Sequence, residues 1–210
     1  MYTPNNSAIN DPATLAHVMT EISFGALITP TAEGIEISHL PWIVREEGGR
    51  VILESHVARP NPHWKLAGAG SVVMFQGPQA YVSPSFYPSK QVDGKVVPTW
   101  AYIVVHAHGM FESFNGAEEL HAHLRDLTHR HEAGRAEPWA MSDAPVPYLA
   151  ALKRGIIGLR FTVDRLEGKW KVNQHKSTAD RQGTYEGLMA SGEQGVDLAQ
   201  ALASFPASQD

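Results

Sequence analysis

The sequence predicts an α+β fold that is mainly β, a six-stranded antiparallel sheet closing into a small barrel with peripheral helices. Six short β-branched or aromatic runs carry this expectation: GALITP, IEISHLPWIV, RVILESHV, SVVMFQG, AYVSP and WAYIVVHAHGMFESF, spread over residues 25–114. The segments between them, EGGR, NPHWKLAGAG, GPQ and SKQVDGK among them, are turn-rich and leave little room for crossover helices, which disfavours a parallel sheet. Barrel closure is the natural way for such a sheet to remove its edges.

The other elements follow in order. Asp11-Pro12 reads as an N-cap with proline at the first helical position, and Leu15, Val18, Met19 and Ile22 recur at helical spacing, so a helix is expected over residues 12–22. From Asn115 to about Arg135 the pattern is helical again, with Leu120, Leu124 and Leu127 on one side. A short helix, PVPYLAALKRG, precedes a long strand in which Ile157, Leu159, Phe161 and Val163 alternate with Gly158, Arg160, Thr162 and Asp164. The tail from Ala179 to Phe205 holds two weak helical patterns. With no repeat and no convincing linker, the expectation is one domain over residues 1–190 and a C-terminal helical tail over 191–210.

Composition narrows the function classes. The chain has 210 residues, 43% hydrophobic and 19% charged, ordinary for a globular protein with one well-buried core. It has no cysteine, which excludes disulfides and thiolate metal sites and fits a cytoplasmic location. MYTPNNSAINDP has neither a basic n-region nor an apolar core, and no long uncharged apolar run follows, so neither secretion nor membrane association is expected. The net charge of −5 gives direct DNA binding no support from the sequence. The basic stretch from Arg165 to Arg181, with Lys169, Lys171 and Lys176, can equally hold a single small phosphate.

The richest segment chemically runs from His56 to Tyr102. It gathers Arg59, Asn61, Gln76, Tyr81, Ser83, Ser85, Tyr87, Lys90, Thr99 and Trp100, a mix of cation, hydroxyl, amide and flat ring that suits a phosphorylated aromatic cofactor. It suits hydrolysis poorly, because no nucleophile sits in a recognisable elbow. Prolines 60 and 62 stiffen the loop carrying Arg59. Tyr81, Ser83, Ser85 and Tyr87 alternate, so an extended segment places them on one face, while Trp42 reads as core. His106 and His108 share a strand face, the arrangement that can chelate Zn²⁺, but a closed site needs further ligands and no HExxH motif occurs, so no metal site is expected. His121, His123, His129 and His131 scatter around their helix and read as solvated surface.

MYTP, GALIT, HLPWIV, HVARPNPHW, FQGPQAYVSPSFYPSK, VVPTWAY, IIGLRF and LEGKWKVNQ, in this order over about residues 1–190, resemble the PaiB family of FMN-binding negative transcriptional regulators. That family is similar to the split-barrel flavoproteins related to pyridoxamine phosphate oxidase. The resemblance implies a six-stranded split barrel, a homodimer, and FMN in the groove between subunits. It draws the flavin pocket from His56, Arg59 and Asn61, from Ser83, Tyr87 and Lys90, from Thr99 and Trp100, and from Lys169, Lys171 and Gln174. Ala101 stands where members usually carry asparagine, and Asn173-Gln174-His175 replaces their usual pattern after GKWK. The function implied is flavin-linked, an FMN-dependent oxidoreductase or a regulator acting directly or through a partner. A haem-binding split barrel, with His175 as ligand, is the alternative.

Overall fold

The computed structural model describes residues 1–204. In chain order its elements are β1 (Ala8–Ile9), α1 (Pro12–Ile22), β2 (Phe24–Thr31), β3 (Gly34–Pro41), β4 (Ile43–Glu47), β5 (Arg50–Ala58), β6 (Gly70–Val82), β7 (Thr99–Phe114), α2 (Ala117–Glu132), α3 (Val146–Arg154), β8 (Ile156–Lys171), α4 (Thr178–Met189) and α5 (Glu193–Ser204). The strands follow one another in the sheet as β3-β2-β6-β7-β8-β5-β4, with β1 added beside β8. The pairings β1–β8, β2–β3, β2–β6, β4–β5 and β5–β8 are all antiparallel.

Eight strands replace the six expected, for local reasons. The run IEISHLPWIV is broken at Trp42, whose backbone N–H leaves the ladder for the Ser23 carbonyl at 2.7 Å while its indole is fully buried. SVVMFQG and AYVSP are one strand rather than two. Pro78 is tolerated because it lies beyond the stretch Val72–Phe75 that pairs with β2. The remaining additions are β8, expected as a long strand apart from the six runs, and β1, two residues long and silent in a periodicity search, paired as Ala8↔Lys169 and Ile9↔Gly168. A side chain at Gly168 would lie 2.2 Å from Leu15 Cδ2, so only glycine admits this approach.

The chain forms two compact units. One comprises residues 16–75 and 106–166. Its core holds Leu27, Trp42, Leu53, Val73, Phe75, Leu159 and Phe161, with Trp42 edge-on to Phe161 at 6.4 Å between centroids. The β4–β5 hairpin turns on Gly48-Gly49, whose φ values of 58° and 77° are those of a tight turn matched to the strand twist. In β8, Ile157, Leu159, Phe161 and Val163 are all buried, as their alternation indicates.

The other unit comprises residues 1–15, 76–105 and 167 onward. Its apolar cluster joins Ala80, Val82, Tyr87 and Ala101 to Leu188 of α4 and to Leu198 and Ala199 of α5. The two weak helical patterns are therefore real helices, stabilised by burial. Residues 205–210 of the expected tail lie outside the described residues. Ser177 caps α4 by accepting the Asp180 N–H at 3.2 Å. Gly183 and Gly187, one turn apart, receive Phe86: a Cβ at Gly183 would meet the Phe86 carbonyl oxygen at 2.1 Å, and one at Gly187 the Phe86 ring at 2.3 Å. Alanine inside a helix normally gains about 1 kcal/mol over glycine. Here the sign is expected to reverse, with Gly187→Ala destabilising by about 1–3 kcal/mol through overpacking, read as a lowered urea midpoint.

Candidate functional site

The segment Tyr81–Tyr87 does not stay extended. The strand ends at Val82, and Pro84 opens a single 3₁₀ turn in which the Ser83 hydroxyl accepts the Ser85 N–H at 3.2 Å. Tyr81, Ser83, Ser85 and Tyr87 thus share no strand face: Tyr81 is half exposed and Tyr87 is buried. A second turn follows over Pro88–Gln91, fastened to α4 by Asp180, which accepts from the Ser89 N–H at 3.1 Å and from the Ser89 hydroxyl at 2.9 Å. These two donors, the backbone one foremost, hold the Asp180 carboxylate below its ordinary range.

Below this clasp lies a cavity of about 470 Å³ lined by Tyr2, Pro4, Asn6, Ser7, Tyr87, Val97, Thr99, Tyr102, Lys169, Lys171 and residues 173–176. Its walls are the N-terminal segment, the start of β7, the end of β8 and the turn that follows. That turn depends on Asn173, which adopts φ = 61°, a left-handed conformation that asparagine tolerates, and whose amide donates to the Tyr87 hydroxyl at 2.9 Å. Burial pushes the Tyr87 phenol above its ordinary value, so it remains a neutral group at pH 7. Gln174 closes the strand end, accepting the Val172 N–H at 3.0 Å and donating to the Trp170 carbonyl at 2.6 Å and to the Asn6 carbonyl.

Three ammonium groups reach this cavity over tyrosine faces. Lys169 Nζ lies 5.5 Å from the Tyr2 ring centroid and 5.4 Å from that of Tyr102, Lys171 Nζ 5.8 Å from Tyr102, and Lys176 Nζ 4.9 Å from Tyr87. Lys171 also donates to the Thr99 hydroxyl at 2.7 Å. Lys169 is only 8% exposed, and its hydrogen-bond acceptor is the Tyr2 carbonyl at 3.0 Å. Among the described residues no carboxylate pairs with Lys169 or Lys171. Burying an ammonium without an anion costs several kcal/mol of solvation, and a negatively charged ligand is the chemistry that would offset that cost. The donor set of three ammonium groups and the Thr99 hydroxyl fits a phosphomonoester.

Of the residues the sequence singles out, Tyr87, Thr99, Lys169, Lys171 and Gln174 meet at this cavity. Ser83, Lys90 and Trp100 belong to the same unit but not to this lining: Lys90 reaches the Ser85 hydroxyl at 3.5 Å, and Trp100 stacks edge-on against Tyr81, half exposed. Ala101 is buried in the apolar cluster and does not line this cavity, so its departure from asparagine takes no donor from the cavity wall.

His56, Arg59 and Asn61 belong to the other unit and are engaged there. Arg59 Nε donates to the Arg154 carbonyl at 2.7 Å. Asn61 donates to Ser38 Oγ at 2.9 Å and caps the following 3₁₀ turn through the His63 N–H. His56 Nδ1 meets His123 Nε2 at 3.0 Å. The solvated reading of His123 is thereby corrected: it is 2% exposed, edge-on to both His56 and Phe114. The signal available was its spacing from Leu120 and Leu127, which puts it on the apolar side of α2.

The family described as "Putative FMN-binding domain" matches residues 1–165. The chain belongs to that family. A relative in Bacillus subtilis, the protease synthase and sporulation protein PAI 2, is 29% identical over 191 residues, covering 90% of this chain and 89% of its own. An uncharacterised protein of Emericella nidulans is 34% identical over 197 residues, covering 78% of each. These findings bear out the PaiB resemblance. Among solved structures, the FAD and heme binding protein from Mycobacterium smegmatis superposes with a TM-score of 0.58 at 17% identity, over 89% of this chain and 80% of that one. The flavocytochrome Anf3 from Azotobacter vinelandii does so at 0.55 and 11% identity, over 83% and 74%. The expected fold class, mainly antiparallel β with peripheral helices and split-barrel flavoproteins as structural neighbours, holds; the strand count differs, and the strand order runs as an open path from β3 to β4 where a closed ring was expected.

Proposed function

We propose that this protein binds FMN, with the phosphate seated on Lys169 and Lys171 and a second copy of the chain completing the site. The buried Lys169, without a carboxylate partner among the described residues, carries the reading, because a phosphate beside it would offset its lost solvation. Thr99 and Lys176 add donors around that anion, while the Tyr2, Tyr87 and Tyr102 rings supply the flat apolar surface a planar heterocycle needs. When bound, FMN supplies one- and two-electron redox chemistry. The chain's own part is to hold the phosphate, orient the ring and limit water.

A homodimer is supported by the unit that contains β2 and β3. It exposes Phe24, Ile35, Ile37 and Met110, and a groove of about 610 Å³ runs beside Ile28, Pro30, Ile35, Val72 and Met110. The regulatory name of the relatives' family fits action through a flavin-dependent partner better than direct DNA contact, given a net charge of −5.

The test is a spectrum of gently purified protein with mass analysis of the released small molecule and sedimentation of the same sample. Absorbance near 450 nm, a released mass equal to FMN and a dimer are expected. Colourless monomer that takes up no added FMN, or a Soret band formed on haem and lost in His175→Ala, sinks the reading.

A further inference from the structure

We infer that the N-terminal segment Tyr2–Ser7 is part of the binding site, a strap whose Tyr2 ring covers the bound ligand. This rests on the proposed FMN site and gives its Tyr2, which neither the richest sequence segment nor the β-strands supply, a covering role carried by the whole segment.

The strap is fixed at both ends to residues of the cavity. At its C-terminal end, β1 pairs Ala8 with Lys169 and Ile9 with Gly168, and Ile9 is buried. In the middle, the Asn6 carbonyl accepts from Gln174. Near its start, the Tyr2 carbonyl accepts from Lys169 Nζ at 3.0 Å, and the Tyr2 ring lies over the same ammonium. Tyr2, Pro4, Asn6 and Ser7 all line the cavity, yet Tyr2 is 84% exposed. A large aromatic side chain held at a cavity wall by a buried cation, with most of its surface in water, has apolar area to gain by closing on a ligand.

Lys169 links the strap to the anion. Its ammonium has three donors and one acceptor, the Tyr2 carbonyl, so a phosphate can be added without displacing the strap. Ligand and strap therefore stabilise each other: the anion fixes Lys169, Lys169 fixes Tyr2, and Tyr2 slows escape.

The experiment is hydrogen exchange of residues 2–7 with and without FMN, alongside FMN dissociation rates for the wild type, Tyr2→Ala and Tyr2→Phe. Expected are slower exchange in the segment with FMN, about tenfold faster release from Tyr2→Ala, near-normal release from Tyr2→Phe, and unchanged melting temperatures. Unchanged exchange together with normal release from Tyr2→Ala overturns the strap while leaving the FMN site standing. Failure of the wild type to bind FMN removes the functional reading and the strap with it.

Discussion

Replacing Lys169 with methionine is expected to weaken FMN binding by about a hundredfold or more while changing folding stability by less than about 1 kcal/mol. The two effects separate because of where the ammonium sits. Lys169 is 8% exposed, its acceptor is a single carbonyl, and no carboxylate partner is present among the described residues. An apolar side chain of similar length relieves that desolvation and offsets the lost hydrogen bond, as happens when other buried charges are exchanged for hydrophobic groups. With FMN bound, the same substitution leaves part of a phosphate dianion without its buried counter-charge. A residue kept for packing behaves in the opposite way, lowering stability first and binding only through it. Urea denaturation and FMN fluorescence titration of the same two proteins distinguish the cases. A loss of several kcal/mol of stability with intact affinity assigns Lys169 to the fold instead.

Stability is expected to fall as pH is lowered from 6.5 toward 4.5, by about 2–3 kcal/mol for His123 alone. Burial is the main cause, reinforced by the charge repulsion of His56 and Arg45, and together they push the imidazole down to about 4. His56 is lowered as well, by burial. The sign follows from proton counting: between pH 4 and 6.5 the unfolded chain binds a proton at this histidine that the folded chain refuses, so acid favours unfolding. His123 Nε2 faces His56 Nδ1, and its own Nδ1 is buried without a partner. The tautomer that leaves a lone pair there, with Nε2 donating to His56, costs less than burying an unpaired N–H. Arg45, paired with Glu54 and Asp126 at 2.7 Å each, sets a positive charge nearby, and the opposing attraction of Asp126 for a protonated His123 is the smaller effect. His123→Leu is expected to flatten this slope. Urea midpoints at pH 7, 5.5 and 4.5 for both proteins provide the check, and equal slopes contradict the buried-neutral assignment.

Much of the fold was legible because local signals and tertiary burial agree. Asp11-Pro12 with Leu15, Val18 and Met19 marks α1, expected over about residues 12–22 and found at Pro12–Ile22, and the alternation Ile157 to Val163 marks β8. What stayed hidden depends on contacts between residues far apart in sequence. Trp42 splits a continuous β-run because its backbone bonds to Ser23, and Ser83 ends an alternating stretch by capping a turn, although the Pro84 beside it was a visible cue. The glycines of α4 lowered its helical signal, yet they are there to admit Phe86. The site divides along the same line. The sequence pointed to Lys169, Lys171, Lys176 and Thr99, which line one cavity, and to Lys90, which does not. Tyr2 carries no periodic or spacing signal, and only the pairing of β1 with β8 brings it there.

A crystal structure of the protein soaked with FMN tests the central claim most directly. The account expects a phosphate oxygen within about 3 Å of Lys169 Nζ, with Lys171 beside it and the Tyr2 ring less exposed than before. Density for FMN bound elsewhere, with Lys169 still facing only the Tyr2 carbonyl, would contradict it.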